Sequence, residues 1–259
     1  MLKVPQTFID AFNRYVAQKQ HFIFLIDFEG QKPLLFRTDE ALKKGILFQT
    51  PNYQNFQTAE KQSIQYQKPE AHPIDFETYQ SVFDTVQAHL QNGDTYLLNL
   101  TFKTPIDIEG QLEDIYHTAQ APYKFLLPDH FVCYSPETFI KTQGNHIFTF
   151  PMKGTIDASL PNALQQVLSD KKETFEHYTI VDLLRNDLSM VARNIQVDKF
   201  RYTDRIQNPS GDLLQISSQI SGTLPDNWKD NAAGMFLKLL PAGSISGAPK
   251  VVSPFVCMD

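Results

Sequence analysis

The feature that most constrains the fold is the order of its periodic segments. Strand-like and helix-like runs are mixed along the chain without a regular β-α-β alternation. Late in the chain two strand patterns follow one another, NIQVDKFRYTDRI (194–206) and GDLLQISSQISGTL (211–224). Before them, residues 161–192 read as helix, broken near Ser169-Asp170. Earlier, KFLLPDHFVCYSPETFIKTQGNHIFTFP reads as several antiparallel strands turning at Pro128-Asp129 and Gly144-Asn145. This order argues for an α+β fold rather than a doubly wound parallel sheet.

The remaining segments fit that class. Phe8, Ile9, Phe12, Tyr15 and Val16 recur at helical spacing near the start. Strand patterns HFIFLIDF, KPLLF and GILFQT follow, then a Gln-, Lys-, Glu- and Pro-rich surface connection at 54–73. A helix is predicted from about Pro73 to Gly93, with Phe76, Tyr79, Phe83, Val86 and Leu90 as its apolar stripe. TYLLNLTFKTPI reads as a strand, EGQLEDIYHTAQ as a short helix and WKDNAAGMFLKLL as a last helix.

Composition narrows the class of function. Of 259 residues, 42% are hydrophobic and 20% charged, as in an ordinary soluble protein. The net charge of −6 argues against a nucleic-acid surface, and an anionic substrate would need a local cation. The apolar runs are too short to span a bilayer, and the N-terminus lacks the unbroken apolar core of a signal peptide. The two cysteines, Cys133 and Cys257, have no metal-ligand spacing, which suits a reduced, cytoplasmic chain.

Four stretches carry residues suited to chemistry. In TFPMKGT, Lys153 stands at a strand end beside Gly154, a residue that permits close approach of a ligand. A solvated lysine is the ordinary reading; an amine nucleophile is the functional one. In SPETFI, Glu137 is either an exposed strand-start carboxylate or a general acid. It lies 16 residues before Lys153, across a predicted hairpin. In KKETFEHYTIVDLLRND, Glu173 and Glu176 share a helix face, which is either a solvated face or a Mg²⁺ site, with His177 at its edge. In LLPAGSISGAPK, the small residues form either a plain turn or a backbone cradle for a carboxylate. No hydrolase triad and no glutaminase-type cysteine is apparent.

Taken together and in this order, SPETFI, PMKGT, KKETFEHYTIVDLLRNDL and PAGSISGAPK resemble the chorismate-utilising enzymes, closest to aminodeoxychorismate synthase component I. The resemblance runs over residues 76–250, with 1–75 as the N-terminal part of the component I fold. It implies two antiparallel sheets packed with helices around a chorismate pocket. It implies Lys153 as nucleophile, Glu137 as acid and His177 lining the substrate ring. Gly154, Thr155, Ala242, Gly243 and Ser244 would bind substrate, and Glu173 and Glu176 would hold Mg²⁺. Ammonia would come from a separate glutamine amidotransferase, and the product would lead to p-aminobenzoate and folate. Anthranilate synthase component I, which typically has alanine in the PMKGT segment, is the alternative activity; a non-catalytic protein that binds the amidotransferase is the alternative class. The tail, VVSPFVCMD (251–259), matches nothing in the family at that point. The resemblance therefore implies a missing C-terminal part, with further metal carboxylates, and little activity for the chain as it stands.

Overall fold

The computed structural model describes residues 2–57, 70–135, 137–206 and 211–248. The atypical tail, Cys257 and most of the predicted 54–73 connection lie outside the described residues. The chain begins with α1 (Gln6–Ala17), β1 (Phe22–Leu25), β2 (Leu34–Arg37), α2 (Thr38–Lys43), β3 (Leu47–Thr50), β4 (Tyr53–Gln54) and β5 (Glu70–Ala71). Then come α3 (Phe76–Asn92), β6 (Ile106–Asp107), α4 (Leu112–Thr118), β7 (Tyr123–Leu127), β8 (Phe131–Ser135), β9 (Lys141–Gln143), β10 (His146–Thr149) and β11 (Met152–Asp157). The last part comprises α5 (Ala163–Ser169), α6 (Lys171–Ser189), β12 (Arg193–Ile206), β13 (Leu213–Thr223), α7 (Ala232–Lys238) and α8 (Gly243–Ser246).

Two larger antiparallel sheets organise these elements, as an α+β fold requires. One has the order β4-β3-β7-β8; the other runs β11-β13-β10-β9, with β12 also on β13. β13 is the centre of the second sheet. β12 pairs along one of its edges, while β11 and β10 share the other. The pairing of β3 with β7 ties the N-terminal segment into the same sheet as residues 123–135. The smaller pairs β1-β2 and β5-β6 are antiparallel too.

Helix α6 covers the five-stranded sheet. Ile180, Val181, Leu184 and Leu188 recur at three- and four-residue spacing and bury against Ile147, Ile220 and Leu224. Asp170 explains the predicted break. It ends α5, and its side chain accepts from the Glu173 N–H to cap α6 at 2.9 Å. At the other end of the chain, Phe8 and Phe12 of α1 pack on Ala232 and Ala233 of α7.

Two expectations fail. Of the stripe predicted for α3, only Val86 is buried, and Phe76 is 72% exposed. Periodicity identified a helix face but not what covers it; Phe83 and Leu90 are half-buried, and Tyr79 meets the ring of Phe102. Residues 95–105 form no strand. Among the described residues, Leu97 makes a single bridge, to Ala248, and no ladder extends from it.

Candidate active site

A cleft of about 990 Å³ opens between β11, α6, the segment 97–101 and the turn around α8. Its volume lies at the upper end of small-molecule sites. Lys153 and Glu176 line one wall, with Glu137 and Thr138 beside them. Ala242, Ser244, Ile245 and Ser246 line a second wall at α8, and Leu97, Asn99 and Thr101 also line the cleft.

The charged wall is built by β11 and α6 together. Lys153 Nζ lies 2.9 Å from Glu176 Oε2, and Lys172 Nζ lies 3.6 Å from Oε1. The Lys153 hydrogen bond is the main cause that holds the Glu176 carboxyl below its ordinary value. Glu137 shows the opposite behaviour. Protein atoms crowd it even though water in the cleft reaches it, and this desolvation raises its carboxyl above the ordinary value. A carboxyl that holds its proton more tightly is suited to giving one to a leaving oxygen.

Several predicted site residues lie elsewhere. His177 is fully buried and does not line the cleft, so the expectation that it faces a substrate ring is not met. Its Nδ1 lies 3.3 Å from the Lys153 carbonyl and its Nε2 2.7 Å from Ser218 Oγ. Burial lowers its pKa, favouring the neutral ring. Gly154 and Thr155 follow Lys153 but turn away from the lining: Thr155 Oγ1 donates to Gln215 at 2.6 Å. Gly243 likewise departs from its predicted role. Its N–H donates to the buried Asp187 carboxylate at 3.1 Å, which leaves that group engaged within the fold.

The α8 wall is organised by residues that the sequence alone did not single out. Asn99 donates from its amide to the carbonyls of Ser244, at 2.7 Å, and Ile245, at 2.9 Å. Asp187, Ser218, Gln215 and Asn99 are polar residues holding backbone, and nothing in their local sequence marks them out. The only available signal was polar residues inside apolar helix and strand patterns, which implies partners without naming them.

The fit of Mg²⁺ can be judged from the carboxylates. Glu173 and Glu176 are hard oxygen donors one helical turn apart, and Glu176 already faces a cation, the Lys153 ammonium, at the cleft. Glu173 Oε2 would lie 3.3 Å from a Cβ at Gly154, so only a glycine leaves that oxygen its present space. Glu176 lines the cleft and Glu173 does not, so of the two predicted ligands Glu176 is the hard oxygen donor placed to offer a magnesium ion its carboxylate there, with water or substrate oxygens completing the shell. Among the described residues, the one group of three ligand-type side chains within 4.8 Å is Glu70, His72 and Asp107, all exposed and outside the cleft lining.

This arrangement of an amine, a carboxyl with a raised pKa and a carboxylate around one cleft accompanies a match over residues 11–253 to the family of chorismate binding enzymes. The chain belongs to that family. It is 50% identical over 246 residues to an uncharacterized PabA-like protein of Haemophilus influenzae, covering 95% of this chain and 74% of that one. It is 33% identical over 187 residues to aminodeoxychorismate synthase component 1 of Salmonella typhimurium, covering 67% of this chain and 40% of that one. The menaquinone-specific isochorismate synthase of Escherichia coli shares the fold, with a TM-score of 0.67 at 12% identity, over 97% of this chain and 65% of that one. Among the described residues no helix is long and apolar enough to cross a membrane.

Proposed function

We propose that this chain carries the aminating site of an aminodeoxychorismate synthase, converting chorismate and ammonia to 4-amino-4-deoxychorismate and water. The observation that carries the reading is the presence of Lys153 and Glu137 on one cleft of a chorismate-binding fold. The similarity to the Salmonella synthase supports the same assignment.

In this reading Lys153 leaves its pairing with Glu176, passes one ammonium proton to solvent water, and its neutral amine adds to the substrate ring. Glu137 gives its proton to the C4 hydroxyl, which leaves as water. Ammonia then displaces the Lys153 amine, and its surplus proton restores Glu137. Glu176 would hold Mg²⁺, which supplies positive charge for a substrate carboxylate. That charge also answers the chain's net −6. A glutamine amidotransferase is the proposed source of ammonia.

The test is to incubate the protein with chorismate, MgCl₂ and ammonium and identify the product by mass and fluorescence. The expected product is aminodeoxychorismate, and Lys153→Ala should lower turnover on the order of 10³-fold or more, as loss of a nucleophile does. Anthranilate as the main product would reassign the activity. Binding of an amidotransferase or ligand without turnover would mark a non-catalytic member. Unchanged turnover in Lys153→Ala would remove Lys153 from the reaction.

A further inference from the structure

Lys153 points into the cleft because β11 is irregular there. Along β11 and β13, Met152 pairs with Ser217 and Thr155 pairs with Gln215, so β11 carries one residue more than its partner. Neither Lys153 nor Gly154 has a Cα partner in the register. In a regular strand, neighbouring side chains point to opposite faces. Here Met152 and Lys153 both line the cleft. A β-bulge re-aims a side chain in this way, and Gly154 makes the bend with φ +95, in the region that favours glycine.

Both bulge residues are held by buried side chains through their carbonyls. His177 Nδ1 meets the Lys153 carbonyl at 3.3 Å, and Gln215 Nε2 donates to the Gly154 carbonyl at 3.0 Å. A carbonyl only accepts, so Nδ1 carries the proton and Nε2 accepts from Ser218 Oγ at 2.7 Å. The Ser218 oxygen in turn accepts from the Arg201 N–H at 3.0 Å. Arg201 has φ +50 and lies at a second register shift, in β12 between Lys199 and Tyr202. The Gln215 carbonyl oxygen is fixed by Thr155 Oγ1. His177 and Ser218 are fully buried and Gln215 is nearly so.

We infer that His177 and Gln215 are positioning residues that clamp the Lys153–Gly154 bulge, and that this clamp keeps the Lys153 amine in the cleft against Glu176. His177 thus acts on the reaction through the main chain of Lys153, with Ser218 and Thr155 as the supports of the two clamping side chains. The catalytic weight of the clamp rests on the proposed role of Lys153; its existence is tested without turnover.

The experiment acetylates the 259-residue protein with an N-hydroxysuccinimide ester and quantifies Lys153 by mass spectrometry against Lys141, an exposed lysine on β9. His177→Gln and Gln215→Leu each remove one clamping bond. Each should raise the Lys153 to Lys141 labelling ratio about fivefold, the change set by one neutral hydrogen bond. His177→Asn keeps an amide donor near the Nδ1 position and should stay close to wild type. A merely structural histidine would give Asn and Gln variants that lose melting temperature alike without moving the ratio. If Gln215→Leu fails to fold, Thr155→Val frees the Gln215 amide from an exposed position and should raise the ratio in the same direction. An unchanged ratio in folded His177→Gln and in folded Gln215→Leu or Thr155→Val overturns the clamp, as does an Asn variant that labels like the Gln variant. The expected labelling pattern without any chorismate amination would leave the clamp standing and reject the proposed reaction.

Discussion

The two walls of the cleft use polar groups in opposite ways. On the β11–α6 wall, the backbone is held by side chains and the charged ends of Lys153 and Glu176 are left facing the cleft. On the α8 wall, side chains bind the backbone too, but there the backbone groups were the expected ligands. Asp187 takes the Gly243 N–H, and Asn99 takes the carbonyls of Ser244 and Ile245. A small-residue loop is therefore as much a packing device as a cradle: its N–H groups serve a ligand only where the fold has not already engaged them.

The largest effect should come from the charged wall. Glu137→Gln keeps the shape and removes the transferable proton, so amination should fall about 10²–10⁴-fold. Its stability should change with the opposite sign. The folded carboxyl is raised above its ordinary 4.5 by desolvation. Its contribution favours the native state at low pH, weakens as pH rises past 4.5, and is a full cost above the folded value. The Gln variant should thus melt higher than wild type at pH 8, with the gap closing as pH falls from the raised folded value towards 4.5. A variant that melts lower than wild type at pH 8 would show that the charged form of Glu137 is held by favourable partners, and the acid role would lose its support.

The same contrast explains how much could be read from the sequence. The helix over 161–192, its break at Asp170 and the two long strands after it were legible, because caps and periodicity are local. Lys153, Glu137 and Glu176 could be picked out as candidates by residue type and motif order. The facing of His177 could not, because its position depends on an extra residue in β11 and on Ser218, 41 residues away. Gly154 was singled out for close approach of a ligand, whereas its positive φ makes a bend and its open side faces Glu173. The exposed stripe on α3 and the missing strand at 95–105 have a common cause. A pattern specifies which face is apolar, while burial and pairing depend on a neighbour that local sequence does not identify.

A smaller effect is expected on the α8 wall. Gly243→Ala adds a Cβ 2.8 Å from Leu183 Cγ and 3.0 Å from Asp187 Oδ2. The loop or helix α6 must shift, at a cost of about 1–3 kcal/mol in stability. Urea unfolding should show this loss, while the Lys153 to Lys141 labelling ratio stays at the wild-type value, because the added methyl meets α6 at Leu183 and Asp187, more than a turn beyond the clamping His177. A changed ratio would mean that the two walls move as one unit, and the division between them would fail.

The smallest effect sharpens the comparison within the charged wall itself. Glu176 has two lysine partners, but they differ in kind. Lys153 approaches to 2.9 Å from the clamped bulge, whereas Lys172 reaches 3.6 Å from an exposed position one turn earlier on the same helix, with its side chain 79% exposed. A lysine placed four residues before a glutamate is the weaker orientation of such a helical pair. Lys172 also stands in the first turn of α6, where a cation opposes the helix dipole. These two disadvantages offset the modest attraction of a solvent-screened pair. Lys172→Ala should therefore change stability by no more than about 0.5 kcal/mol in either direction, and Lys153 labelling should stay where it was. If urea unfolding shows a loss well beyond that, or Lys153 becomes distinctly more reactive, then Lys172 is part of the wall and the carboxylate of Glu176 is set by both cations together.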